Sequence, residues 1–373
     1  MTSIDPAEPD VSADVAKTAH RLDHAGWDDE WHETAVQHLT RAAASSGVLG
    51  RVLRVDRSTA TVLLPDGRVD VGWGAGLRRA VRADPGAAPA AGDWALVDGG
   101  GRGAPTIVDL LPRRNSVNRL QVDGSSFDQV LVANVDAVAV VEAMAPDLDR
   151  GRIERLLALA WSSGATPLVV LTKADLVADP AALAAEAAES APGCVVLVTA
   201  SLRSEGLEPL RRMLVAGQTI ALLGASGVGK STLLNELVGA EAMRTRVLGA
   251  AGKGRHTTVT RELHLVPGGG ALIDTPGMRS IGLSGAETLD DVFADVLNLA
   301  EQCRFTDCAH GTEPGCAVQA AVEAGTLTAR RLGSYRKLLR EVEYQASRVD
   351  LRVRRRREAR WRTARKGAAP ARP

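Results

Sequence analysis

Residues 219–238 read TIALLGASGVGKSTLLNELV: a short apolar run, a glycine-rich loop and an amphipathic segment with helical spacing. Few short sequences restrict a fold so tightly. A strand that passes through glycines into a helix points successive amide N–H groups, and the positive end of the helix dipole, at one anion. The loop residues Gly224, Ala225, Ser226, Gly227, Val228 and Gly229 would therefore cradle phosphates. Lys230 would reach the β- and γ-phosphates, and Ser231, followed by Thr232, offers a hydroxyl suited to Mg²⁺.

A chain of 373 residues exceeds one ordinary core, so two or three domains are expected. Its formal charge of zero conceals acidic first residues and an arginine-rich end. No apolar run is long enough to span a bilayer, and the start lacks the pattern of a secretory signal, so a cytoplasmic protein without membrane contact is expected. Three of the four cysteines crowd into 303–316, which points to a metal rather than to disulfides.

In chain order, 1–46 form an acidic, alanine-rich N-terminal extension in which Trp27 and Trp31 share one helical face, as in a small docking helix. From 47 to 111, short β-rich runs such as VLGRVLRVD, TATVLLPDG and DWALVDGG are closed by Gly, Pro or Asp, the pattern of a five-stranded OB-type β-barrel. Arg51, Arg54, Arg57, Arg78, Arg79 and Arg82 scattered through it point to nucleic acid, and LPRRNSVNR after it reads as a basic connector. Strands and helices then alternate from Gln129, which implies a parallel sheet with its ligand at the carboxyl ends of the strands.

Two such ends are TKAD, with Thr172, Lys173, Ala174 and Asp175, and TAS, with Thr199, Ala200 and Ser201. The Asp175 carboxylate can accept from guanine N1–H and N2–H₂, a donor pair adenine lacks, and an amide of the second loop can meet guanine O6. After the phosphate loop comes GRHTT, whose Thr257 or Thr258 could ligate Mg²⁺, with Thr258 taken as the ligand. In the following IDTPG, Asp274 would hold the metal through water and the Gly277 amide would meet the γ-phosphate. Met278 follows that motif and cannot orient a water, which leaves His256 as the candidate catalytic residue beside Lys230 and Asp274.

Cys303, Cys308, His310 and Cys316 supply three thiolates and one imidazole, a closed tetrahedral set for one structural Zn²⁺. Cys194 lies apart and reads as core. Leu332, Tyr335, Leu338, Leu339 and Val342 make one apolar face of a helix expected to pack on this zinc knuckle. The tail 351–373 is dominated by arginine, whose forks match phosphates.

These motifs resemble those of a TRAFAC-type GTPase in rotated order: base loops first, phosphate loop second, switches last. With a barrel in front and a cysteine cluster behind, the chain resembles the circularly permuted ribosome small-subunit-dependent GTPase A family (RsgA, also called YjeQ). It departs at Thr172, where most GTPases carry asparagine, and in its acidic extension. The resemblance implies a multidomain fold: extension 1–46, OB-type barrel 47–111, circularly permuted α/β P-loop GTPase domain 112–285, small helical zinc domain 286–350 and arginine tail 351–373. It also implies hydrolysis of GTP to GDP, slow alone and stimulated by the small (30S) subunit, in late subunit maturation. The partners would be that subunit and its 16S rRNA, with the protein itself a monomer. An ATP-driven transporter ATPase lacks support, since no Glu follows Asp274 and no LSGGQ is present. A non-catalytic RNA-binding zinc protein with a nucleotide-dependent switch stays open from the residues alone.

Overall fold

A computed structural model describes residues 21–42, 47–99, 103–120, 128–200, 203–215, 217–239, 261–276 and 289–349. Helix α1 (Asp29–Ala42) buries Trp31, Ala35 and Leu39, and Trp27 one turn earlier is buried with them. The four-residue spacing puts Trp31, Ala35 and Leu39 on one side of the helix, whereas Trp27 lies before its start, so the two tryptophans meet in the core without sharing the helical face the sequence suggested. Five strands follow: β1 (Val48–Asp56), β2 (Thr59–Leu64), β3 (Gly67–Trp73), β4 (Trp94–Asp98) and β5 (Thr106–Leu110), with helix α2 (Ala75–Ala83) between the third and fourth. They pair in the closed order β1-β2-β3-β5-β4-β1, with only β3 and β5 parallel to each other. Closure removes the sheet edges that an open β-sheet of this size would expose.

The residue period of two divides each barrel strand between two cores. Val52, Val62, Ala95, Val97 and Ile107 fill the barrel. Leu49, Leu53, Trp94 and Leu96, on the other faces of β1 and β4, join α1 in the main core. Trp94 is fully buried there, with the Trp27 ring edge-on at 4.8 Å and the Trp31 ring tilted at 6.1 Å. Residues 21–42, read from the sequence as part of an extension, are thus seated on the barrel.

The strand β6 (Ser116–Leu120) pairs with β7 (Asp128–Ala133) as a separate antiparallel sheet. Part of the segment read as a basic connector is therefore a strand. Its two leading arginines are clamps. Arg113 donates to Asp93 at 2.7 and 2.8 Å and to the carbonyls of Gly86 and Ala88, while Arg114 makes a two-pronged pair with Asp28 and lies 4.1 Å over the Trp31 ring.

The α/β unit comprises β8 (Ala137–Ala143), helix α3 (Arg150–Trp161), β9 (Thr166–Thr172), α4 (Pro180–Glu189), β10 (Val195–Val198), α5 (Glu208–Val215), β11 (Thr219–Leu223), α6 (Lys230–Val238), β12 (Glu262–Leu265) and β13 (Ala271–Asp274). The sheet runs β10-β9-β8-β11-β13-β12, parallel except for β12. Both faces are covered, so the strands are apolar throughout: Val138, Val140, Leu171 and Ala221 face α3, while Val141, Val170, Ile220 and Leu222 face α5 and α6. Strand β12 also bridges to β1, Arg54 opposite Glu262, which joins barrel and sheet edge to edge.

Three further helices follow among the described residues: α7 (Ala294–Ala300), α8 (Ala317–Glu323) and α9 (Ala329–Val349). Leu332, Tyr335, Leu338 and Val342 are buried, Leu339 partly so, and the Phe293 ring packs on Tyr335 at 5.4 Å. The helix α9 reaches beyond the cysteine cluster, where the sequence placed it, to α3. Fully buried Glu154 accepts from Arg331 at 2.8 Å and from Arg330 at 3.0 and 3.2 Å, and Arg331 also binds Asp295. Arg155 and Glu341 add a two-pronged pair, both bonds at 2.6 Å.

One arginine assigned to a nucleic-acid face is interior. Arg51 is 1% exposed, donates to the Asn134 carbonyl at 2.8 Å and lies 4.7 Å over the Trp94 ring. Burial pulls its guanidinium down to about 10, although Asp136 and Asp93 act the other way. It fastens barrel to α/β sheet and is unavailable to a phosphate. Arg57, Arg78, Arg79 and Arg82 are exposed, and Arg54 is half-buried beside Asp56.

Candidate nucleotide site and metal centre

The apolar strand β11 occupies the centre of the sheet and ends in Leu223, from which the loop 224–229 leads into α6. Backbone geometry demands the glycines. Gly227 and Gly229 have φ of 84° and 102°, in the left-handed region that costs other residues strain. A Cβ on Gly224 would lie 2.4 Å from the Val141 carbonyl oxygen, so only glycine lets the loop pass β8 this closely. Ser226 and Gly227 are exposed, whereas Val228 is buried and anchors the loop in the apolar layer over β11.

Lys230, the first residue of α6, is 7% exposed, and its Nζ donates to the Gly224 and Ala225 carbonyls, both at 2.8 Å. Both partners are neutral. Burial lowers the Lys230 pKa below the ordinary lysine value, opposed by Asp274 and Glu142. The loop thus holds a cation whose bonds leave its charge for an incoming anion, at the N-terminus of a nine-residue helix. Ser231 is exposed at that same terminus, Thr232 is half-buried behind it, and Asp274 ends β13 in register with Leu222 of β11. Thr275 is buried and donates to the Leu222 carbonyl at 2.6 Å, which ties the two strand ends together.

The base loops leave the same end of the sheet, two and three strands over. Thr172 ends β9, Lys173 adopts φ 60° and ψ 34°, and Ala174–Leu176 form a 3-10 turn that leaves Asp175 half-buried. The Ala174 amide donates to the Thr199 carbonyl at 3.2 Å, so the two loops are bonded to one another. Ala200 follows and bridges to Glu205, a closure that needs Gly206 because a Cβ there would come within 2.0 Å of the Val198 oxygen. Ser201, His256, Thr257, Thr258 and Gly277 lie outside the described residues. Sequence reasoning missed Glu142, a buried carboxylate at the end of β8 that accepts from Arg152 at 2.6 and 2.7 Å. No motif marked it; its position follows from β8 lying beside β11.

The second site is the only His/Cys/Asp/Glu cluster with metal-binding geometry among the described residues. Ligand atoms of Cys303, Cys308, His310 and Cys316 all lie within 4.8 Å of one another. Cys303 Sγ is 3.9 Å from Cys316 Sγ, and His310 Nδ1 is 3.6 and 3.7 Å from the two sulfurs. A tetrahedral Zn²⁺ with ordinary bond lengths has S···S and S···N edges of about 3.8 and 3.6 Å, so these donors fit that ion. The supports are local. Glu313 accepts from the Ala309 and Gly311 amides, Gln319 Nε2 donates to the His310 and Gly311 carbonyls, and Arg336 of α9 donates to the His310 carbonyl. Cys194 stands apart just before β10, half-buried, its thiol pushed up to about 11 by burial.

An unpermuted P-loop GTPase begins with the phosphate-loop strand and ends with the base-loop strands; here β9 and β10 precede β11, while the spatial order is kept. Fold and site together define a circularly permuted P-loop GTPase. The chain belongs to the RsgA GTPase family, whose model matches residues 110–284, and it is a GTP hydrolase. It is 47% identical to the small ribosomal subunit biogenesis GTPase RsgA of Streptomyces coelicolor, over 89% of this chain and 90% of that one. The protein of that name from Streptomyces avermitilis is 45% identical over 95% and 94%. Among solved structures, YjeQ from Thermotoga maritima superposes with a TM-score of 0.58 at 27% identity, over 80% of this chain and 99% of that one. YloQ, described as a circularly permuted GTPase, shares the fold with a TM-score of 0.54 at 24% identity.

Proposed function

We propose that this GTPase acts on the small ribosomal subunit, turning over slowly alone and faster on the subunit, and that it assists a late step of subunit maturation. The observation that carries the reading is a formed phosphate cradle beside a barrel whose outer face has an open, partly basic cleft. That cleft, of about 980 Å³, is lined by Arg54, Arg57, Trp73 and Gln129, by Arg261, which follows the Thr257–Thr258 segment in the chain, and by Asp56 and Asp70, of which Asp56 accepts from Arg54. Guanidinium groups with one aromatic ring suit single-stranded RNA, through phosphate pairing and base stacking. The relatives' names supply the partner, and 16S rRNA is the RNA such a partner presents.

In this reading Lys230 and the amides of 224–229 hold the β- and γ-phosphates, and Asp175 reads guanine with help from 199–201. Mg²⁺, when bound, would neutralise charge on the phosphate oxygens, with Ser231 and Thr258 as its ligands and Asp274 acting through water. The exposed Ser231 hydroxyl at the helix terminus fits that role. The Gly277 amide meets the γ-phosphate. His256 orients the attacking water because Met278 cannot, and contact with the subunit brings it into place. One Zn²⁺ on Cys303, Cys308, His310 and Cys316 is structural, since all four positions are filled by protein. The protein works as a cytoplasmic monomer; among the described residues no helix is long and apolar enough to cross a membrane.

GTP and ATP turnover, with and without purified small subunits, tests the proposal. Stimulation of GTP hydrolysis by an order of magnitude or more, with ATP inert, is the expected result. Turnover indifferent to the subunit would refute it.

A further inference from the structure

Glu142, the penultimate residue of β8, is a carboxylate that neither the phosphate loop nor the base loops use, and it is 1% exposed. Strand register places it. β8 runs between β9 and β11, with Val140 opposite Leu223 and Glu142 opposite Leu171, so Glu142 lies level with the start of the phosphate loop. Its neighbour Val141 is the residue whose carbonyl oxygen crowds Gly224. Alternation along the strand sends Val141 to the α6 face and Glu142, like Val140, to the α3 face, where its two oxygens accept from Arg152 at 2.6 and 2.7 Å.

This ion pair is lopsided. The Arg152 side chain is 33% exposed and also leans on Asp149 at 3.3 Å, whereas the Glu142 carboxylate is enclosed. Water therefore screens the cation, and the interior feels mainly the anion. Its sign is that of the phosphates the loop is shaped to take. Burial lowers the Lys230 pKa, and Asp274 and Glu142 are the carboxylates that act against it, so the field of Glu142 reaches the cradle.

We propose that Glu142 sets how tightly the cradle holds polyphosphate, weakening its grip in proportion to the charge of the ligand and so limiting the preference for triphosphate over diphosphate. Arg152 keeps the carboxylate in place, and the effect is carried by the field on Lys230 and on the phosphates. The inference rests on the reading of 224–230 as the phosphate cradle.

Affinities of the full-length protein for guanosine, GDP and the non-hydrolysable imido analogue of GTP are measured at fixed Mg²⁺, for the unaltered chain, Glu142→Gln, Arg152→Met and Lys230→Ala. Glu142→Gln keeps the shape and removes the charge. It should tighten the imido analogue by about tenfold and GDP by about threefold, leave guanosine unchanged, and lower KM for GTP more than it changes kcat. Arg152→Met, which leaves the carboxylate without its fork, should move the same ligands in the opposite direction and in the same order. Losses in both variants, equal for all three ligands, are what a purely structural carboxylate would give, and they overturn the proposal. So does a Glu142→Gln protein whose three affinities match the unaltered chain. Should a lowered melting temperature show that Glu142→Gln folds poorly, the gradient across ligands in Arg152→Met decides by its presence or absence. Lys230→Ala keeps the two readings apart: if it spares the phosphate-dependent part of binding, the cradle reading fails and this inference with it. If it weakens that part while Glu142→Gln changes nothing, this inference alone fails.

Discussion

The phosphate loop and the cysteine cluster both await a charged ligand, yet they are held in opposite ways. The loop is built from backbone: glycines with positive φ, a helix terminus, and a lysine bonded to two carbonyls of its own loop. Strands on either side fix it, and it carries one charge to be matched. The cluster is built from side chains, three sulfurs and an imidazole within 4.8 Å, on a segment with no strand and few buried apolar residues. Thiolates packed this closely repel one another until a cation joins them. A site supported by a sheet persists without its ligand, whereas a site supported by its ligand does not.

Removal of zinc is the strongest test of that contrast. For a small knuckle, metal binding energy is folding energy, on the order of 10 kcal/mol. Chelation, or Cys308→Ser, should therefore abolish hydrogen-exchange protection over 303–316 while GTP affinity stays within about threefold. Loss of nucleotide binding under the same treatment would show that the two sites are not separately supported. Next in size is the clamp between them. Arg331→Met leaves Glu154 buried with only the part-exposed Arg330 beside it, and breaking such a pair costs about 3 to 5 kcal/mol. Thermal unfolding should show a clear loss of stability, and Glu154→Gln with Arg331→Met together should lose less than the sum.

Lys230→Ala removes the cradle's charge without disturbing its backbone. Hydrolysis should fall by about a hundredfold or more with only a small fall in melting temperature, since two loop carbonyls lose a donor but the strands on either side still hold the loop. A large drop in stability would mean that the lysine bonds to Gly224 and Ala225 hold the loop together, against the comparison drawn above. The smallest effect belongs to the tail. Deleting 352–373 removes ten Lys and Arg side chains. Each phosphate contact so lost should flatten the slope of log affinity for small subunits against log salt by about 0.7 to 0.9. Intrinsic GTP turnover should not move.

Local chemistry made much of this protein legible in advance. The glycine spacing of 224–229, the β-rich run VLGRVLRVD and the four ligands between 303 and 316 each act over fewer than fifteen residues, so backbone sterics and metal geometry dictate them wherever the chain goes. The apolar stretch QVLVANVDAVAVVEA, by contrast, gives no hint that it breaks at Asn134–Asp136 into strands of two separate sheets. What the tertiary structure alone decided are the contacts between distant residues of unremarkable type. Arg51 looks like any surface arginine of a barrel until Asn134 and Trp94 enclose it, and Trp27 and Trp31 gain their meaning only when they meet Trp94. Glu154 and Arg331, 177 positions apart, are a helix carboxylate and a helix arginine in the sequence and an interior ion pair in the fold. The physical reason is range: steric and coordination rules operate between neighbours in the chain, while burial, and with it the fate of a charge, is a property of whatever else arrives.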